Sequence, residues 1–198
     1  MQHKQAQPND TSNHAIKNLC EQGQLKDAVH ALQLMSTPLE LSTYAYLLQS
    51  CTKKNALPEG KLIHAHIIER ACVTDAFLHN ALVMMYVRCG NLADAREVFD
   101  RIPERYDFSW NVMIAAYTKH RIVVEALRLF YQMQRTGIEP NPFTFVSILL
   151  ACTSSAALEQ GMEIHENIIR SGFQSDVFVV NGACRLGALV KGAVRIVE

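Results

Sequence analysis

The strongest constraint on this chain is that it repeats itself. Residues 41–75 (LSTYAYLLQSCTKKNALPEGKLIHAHIIERACVTD) laid over residues 142–176 (PFTFVSILLACTSSAALEQGMEIHENIIRSGFQSD) share 12 identities in 35 without a gap: Thr, Leu, Cys-Thr, Ala-Leu, Gly, Ile-His, Ile-Ile and the final Asp. The offset of 101 residues leaves room between them for one unit of 31 and one of 35, residues 76–106 and 107–141. A chain with that period is one supersecondary unit used many times. No single unit can bury its apolar faces alone, so neighbours must stack.

A shared grid divides the whole sequence. Asn13, Asn80 and Asn111 each stand 15 residues before an alanine, Ala28, Ala95 and Ala126. In the two related units, Ala45 and Val146 stand 15 before Gly60 and Gly161. The grid predicts a tail over 1–8, units over 9–40, 41–75, 76–106, 107–141 and 142–176, and an incomplete, divergent unit over 177–198. Each full unit reads as two helices. In 107–141, Trp110, Ile114 and Tyr117 recur at helical spacing, and Ala126, Leu127, Phe130 and Met133 repeat the pattern. The alanine or glycine column lets two helix backbones approach closely. Gly23, Gly90 and Gly137 stand where helices end, with Pro103 and Pro140 as stops. The fold class is all-α, a stacked array of helix–turn–helix repeats.

Composition narrows the function. The 19 Lys+Arg balance the 19 Asp+Glu, with a pI near 7.1, so bulk charge alone cannot grip a nucleic acid. With 49% hydrophobic residues the chain is too apolar for intrinsic disorder. It holds no run of about 18 apolar residues, and no membrane partner is expected. The six cysteines show no CxxC spacing and read as reduced, mostly buried thiols of an intracellular protein. Residues 1–12 carry one Lys, no Arg and no apolar core, so neither a signal peptide nor a transit peptide is visible.

The residues of four units then point to one family. FSWNVMIAAYTKH…EALRLFYQMQRTGIEPN (108–141) resembles the long plant pentatricopeptide repeat (PPR) motif. NALVMMYVRCGNLADAREVFDRIPER (80–105) resembles its short variant, and ALPEGKLIHAHII (56–68) and ALEQGMEIHENII (157–169) the variant paired with it. The order L, S, P, L, S resembles the PLS subfamily, in a short or truncated form. The resemblance spans roughly residues 9–181 and implies a right-handed α-solenoid that binds single-stranded RNA, with PPR repeats reading one base per unit. It also implies a mitochondrial or chloroplast protein of RNA processing or C-to-U editing.

Carried over by position, the fifth and last residues of each unit would read base edges. They are Asn13 with Glu40, Ala45 with Asp75, Asn80 with Tyr106, Asn111 with Asn141, and Val146 with Asp176, followed by Asn181 in the last unit. The family pattern equates Asn111 with Asn141 to a pyrimidine. A carboxamide recurring at one helical position is also poor core material, because each copy needs a buried partner. The asparagines are therefore expected to face outward. Position 2 is Phe77, Phe108, Phe143 and Phe178, which suits base stacking and inter-repeat core alike. Lys53, Arg88 and Lys119 close the first helices, where the resemblance implies phosphate contacts.

No catalytic constellation is present, and neither a cofactor nor a metal is expected. Deaminase zinc chemistry needs His-x-Glu and Cys-x-x-Cys, and the chain has neither. Editing would need a deaminase or other factor in trans. His64 and His66 lie two apart on a helix and point away from each other, which suits packing better than metal binding. The tail GACRLGALVKGAVRIVE (182–198) replaces the expected landmarks, and its glycines are expected to weaken any helix there. It faintly resembles the start of the extension that follows PPR tracts. A protein-interaction solenoid, or a fragment without a stable fold, are the rival readings.

Overall fold

The computed structural model describes residues 8–70, 75–155 and 158–184. Ten helices run in order: α1 (Pro8–Glu21), α2 (Leu25–Gln33), α3 (Leu41–Lys54), α4 (Leu57–Glu69), α5 (Ala76–Arg88), α6 (Leu92–Asp100), α7 (Asp107–Lys119), α8 (Val123–Arg135), α9 (Pro142–Ser155) and α10 (Leu158–Arg170). Residues 177–184 are helical as well, and the described residues contain no strand. The fold is all-α and of the α-solenoid class. It divides into two compact units, Met1–Glu104 and Arg105–Glu198.

In the first unit, α1 and α2, α3 and α4, and α5 and α6 form antiparallel pairs; α3 packs on both α1 and α5, and α4 packs on α2. Ala28 and Ala95 are fully buried where the second helices meet their neighbours. At Gly60 a Cβ would lie 2.5 Å from Met85 Sδ, so a methyl group there requires the Met85 side chain to shift. His64 and His66 do point apart. The His66 Nδ1 lies 2.9 Å from the Tyr44 hydroxyl, and the His64 Nδ1 lies 2.8 Å from that of Tyr86 on the next helix pair. Burial lowers the pKa of both imidazoles.

In the second unit α9 packs on α7, α8 and α10. Trp110, Phe130, Phe145, Ile148 and Leu149 fill its core, with the Phe145 ring 6.1 Å from Phe130 and 5.8 Å from Phe173. The Tyr131 hydroxyl ties α8 to α10 by donating to Glu163 Oε2 at 2.8 Å. Gly182, by sequence a helix weakener, instead brings 177–184 close to α9, since a Cβ there would lie 3.2 Å from Leu149 Cδ1.

One turn closes each of α1, α3, α5 and α7. The backbone N–H of Gln24, Ala56, Asn91 and Ile122 donates to the carbonyl of Leu19, Cys51, Tyr86 and Tyr117, five residues back, at 2.8–2.9 Å. Such a bond closes a helix when the residue before its donor is left-handed. That residue is Gly23 (φ 80°), Asn55 (φ 53°), Gly90 (φ 75°) or Arg121 (φ 59°). All four stand ten residues after the grid positions 13, 45, 80 and 111, so the turn is part of the repeat.

Cys51 and Cys152 are buried, and desolvation pushes their thiols up to about 12 and about 11. Cys20 and Cys89 are half-buried, Cys184 is exposed, and Cys72 lies outside the described residues. No helix among the described residues is long and apolar enough to cross a membrane. No group of three His, Cys, Asp or Glu among them is placed to hold a metal ion.

Candidate nucleic-acid interface

The feature that defines the candidate surface is the first turn of each first helix. Asp75 caps α5, with Oδ1 accepting from Phe77 N at 2.7 Å and Leu78 N at 3.2 Å. Asp176 caps 177–184 in the same way, through Phe178 N at 2.9 Å and Val179 N at 3.1 Å. Asn141 caps α9 reciprocally: its Oδ1 accepts from Thr144 N at 3.1 Å, while its own N–H donates to Thr144 Oγ1 at 3.1 Å. These last residues, read from sequence as base-edge contacts, therefore cap the next helix. For Asp75 and Asp176 one carboxylate oxygen does the capping, and Oδ2 takes no hydrogen bond from the described residues.

In the three capped turns, and in the α7 turn that Tyr106 leaves without a side-chain cap, the second residue lies outside the core. Phe77, Phe108, Phe143 and Phe178 are 50–76% exposed. Of the two uses the sequence left open for this column, inter-repeat core is excluded. Phe77 in the first unit, and Phe108, Phe143 and Phe178 in the second, each hold an apolar ring in water at this register position.

The asparagines behave differently from the expectation. Asn181 is exposed and Asn80 half-buried, but Asn13 and Asn111 are only 3% and 6% exposed. Both have the inward partner that seemed hard to supply. Asn13 Oδ1 accepts from the backbone N–H of Glu40 at 3.1 Å, and Asn111 Oδ1 accepts from the Thr144 hydroxyl at 2.5 Å. Each carboxamide oxygen is thus committed to the protein. Asn141 is held at both ends, its Nδ2 donating to Asp107 Oδ2 at 3.1 Å.

Lys53, Arg88 and Lys119 are exposed at the C-terminal ends of α3, α5 and α7. Tyr106 precedes α7 with its ring exposed and makes no side-chain cap. Beside Phe178 and Asn181 an open cleft of about 240 Å³ is lined also by Val146, Leu150, Thr153 and Gly182. It is apolar at the floor and carries a carboxamide at the rim, the mixture that accepts a flat heterocycle with one polar edge.

The PPR repeat family profile matches residues 107–154, and the PPR repeat profile matches residues 77–106. The chain belongs to the PPR family. A putative mitochondrial pentatricopeptide repeat-containing protein of Arabidopsis thaliana is 34% identical over 164 residues, covering 83% of this chain and 26% of the relative. The chloroplastic pentatricopeptide repeat-containing protein CRR2 of the same plant is 33% identical over 174 residues, covering 86% and 26%. Among solved structures, PPR10 from maize matches with a TM-score of 0.66 at 16% identity, covering 88% of this chain and 26% of that one. PPR10 in complex with an 18-nt psaJ RNA element matches with a TM-score of 0.70 at 18% identity, covering 94% and 29%. This PPR chain spans about a quarter of the length of these proteins.

Two residues of this PPR array escaped the sequence reading. Thr144 links Asn111 to Asn141, and Thr43 occupies the same column with its hydroxyl fully buried and without a hydrogen-bond partner. The signal was available: this threonine is the first identity between the two related units. Leu150, 47% exposed beside the cleft, carried no such signal.

Proposed function

We propose that this PPR array binds single-stranded RNA through the exposed phenylalanines at position 2 of its units. The observation behind the proposal is the exposure of Phe77, Phe108, Phe143 and Phe178 at one register position, with a carboxamide three residues after Phe77, Phe108 and Phe178. Aromatic rings stack on any base at roughly 1–3 kcal/mol each. Carboxamides choose among bases by their donors and acceptors. The RNA in the PPR10 complex adds a reason to expect the same ligand class here.

In this reading residues 9–40, 41–75, 76–106, 107–141 and 142–176 are the PPR units, in the order of the PLS subfamily, and 177–198 begins another. Units of this number contact about six nucleotides at one base per repeat. The unit ending in Asn141 takes a pyrimidine. Asp75, Asp176 and Asn141 serve as helix caps and offer their remaining polar atoms to the RNA. Lys53, Arg88 and Lys119 lie along the phosphates. The setting is RNA processing or C-to-U editing in a mitochondrion or chloroplast, and any deamination is carried out by a partner in trans.

The test is binding to matched single-stranded and duplex RNA at two salt concentrations. Phe143→Ala should weaken every single-stranded sequence about fivefold or more, from the loss of one stacking contact. Lys119→Ala should reduce the salt slope by about 0.7, the single-strand value for one phosphate. Equal binding of duplex RNA, or no binding by the folded chain, would reject the proposal.

A further inference from the structure

We infer that Thr144 is a positioning residue for base reading by Asn111, locking its carboxamide so that it meets RNA as a hydrogen-bond donor. The inference rests on the RNA-binding reading above and adds a residue and a polarity to it. Asn111 is on α7 and Thr144 on α9, 33 residues later, so the residue that orients one unit's reader comes from the next unit.

The geometry decides which way the carboxamide faces. The Asn111–Thr144 contact is 2.5 Å. That length belongs to O–H···O bonds, about 2.5–3.0 Å, and falls below the usual N–H···O range of about 2.7–3.2 Å. The oxygen therefore faces Thr144, which leaves Nδ2 as the carboxamide's remaining polar group. The hydroxyl is itself aligned: it accepts from Asn141 N at 3.1 Å, which leaves its single hydrogen for an acceptor. Two are in reach, Asn111 Oδ1 at 2.5 Å and Asn141 Oδ1 at 3.1 Å, and the second already accepts from Thr144 N. The shorter bond to the less occupied acceptor wins.

Asn141 has the same polarity. Its oxygen serves the cap and its Nδ2 leans on Asp107 Oδ2, so only N–H remains to offer. A base beside both groups must supply acceptors. Pyrimidines do so with the O2 carbonyl, together with N3 of cytosine or O4 of uracil. Purine Watson–Crick edges place an N–H donor toward at least one of the two amides. A carboxamide free to turn would lose that distinction. Asn13 shows the same lock made without a threonine hydroxyl, because Glu40 N donates to its oxygen directly and the Thr43 hydroxyl stays unpartnered. Thr43 is thus the internal control for Thr144.

The experiment measures affinities of the full chain for two short single-stranded RNAs that differ at one position, pyrimidine against purine. The proteins are wild type, Thr144→Val, Thr144→Ser, Thr43→Val and Asn111→Ala, each first checked for cooperative thermal unfolding. The wild-type ratio should be about tenfold, within the scale of one directional base contact. Thr144→Val should bring it to about twofold or less. Thr144→Ser, which keeps the hydroxyl, should restore it, and Thr43→Val should leave it alone. Thr144→Val weakening both RNAs by one factor with the ratio intact would overturn the positioning role while leaving base reading in place. A wild-type ratio of one, or a ratio that survives Asn111→Ala, would overturn base reading itself and this inference with it.

Discussion

Thr43 and Thr144 are the same residue in the same column of two related repeats, yet replacing each by valine should move stability in opposite directions. Valine keeps the shape and removes the hydroxyl. At Thr144 the hydroxyl donates to buried Asn111 Oδ1 and accepts from Asn141 N. Its loss removes two hydrogen bonds and strands a buried acceptor, a cost of about 2 kcal/mol. At Thr43 the hydroxyl is buried without a partner, so the folded state already bears its desolvation. Removing it should stabilise the fold by about 1 kcal/mol. The assay is equilibrium unfolding in urea followed by helical circular dichroism. With a slope of about 2 kcal/mol/M, Thr144→Val should lower the midpoint by about 1 M and Thr43→Val should raise it by about 0.5 M. Midpoints that shift with the same sign and size would show that hydrogen bonding at this column does not set its energetics.

The turn column gives a second pair. Gly90 is left-handed, and a Cβ added there would meet nothing within 4 Å, so Gly90→Ala should cost about 1 kcal/mol from backbone strain alone. Arg121→Gly relieves the same strain and should stabilise by a few tenths to about 1 kcal/mol; urea midpoints check both. Burial lowers His64 and His66, so the unfolded chain binds more protons as the pH falls below the ordinary value of about 6.5. Stability contributed by the neutral imidazoles is present above that pH and declines below it, and His66→Gln should remove part of the decline between pH 7.5 and about 5.5. Alkylation of the folded chain should label exposed Cys184 well before Cys51 or Cys152, whose thiols are held protonated by burial, as peptide mass mapping would show.

The all-α repeat architecture was legible because it rests on period and volume. The 101-residue offset fixes how often a helix pair recurs, and the Ala/Gly column marks buried positions of the second helices, where Gly60 lies against the Met85 side chain. The turn was half legible, since glycine shows at Gly23 and Gly90 but Asn55 and Arg121 conceal the same left-handed residue. Recurrence alone does not say whether a column faces in or out. The phenylalanines looked equally suited to core and surface, and only the packed structure shows that they lie outside. The asparagines went the other way: Asn13 and Asn111 are buried because Glu40 N–H and the Thr144 hydroxyl reach them from 27 and 33 residues along the chain. Such partners are invisible to a helical period. The same holds for Gly182, which reads as a helix weakener and serves as a contact against Leu149.

The most direct measurement is selection from a pool of short random single-stranded RNAs by the wild-type chain and by Asn111→Ala, with the bound sequences read out. Base reading by this array predicts a short enriched motif with a pyrimidine at one fixed position, and loss of enrichment at that position alone when Asn111 is replaced. An unenriched pool, or a motif that persists unchanged in Asn111→Ala, would contradict it.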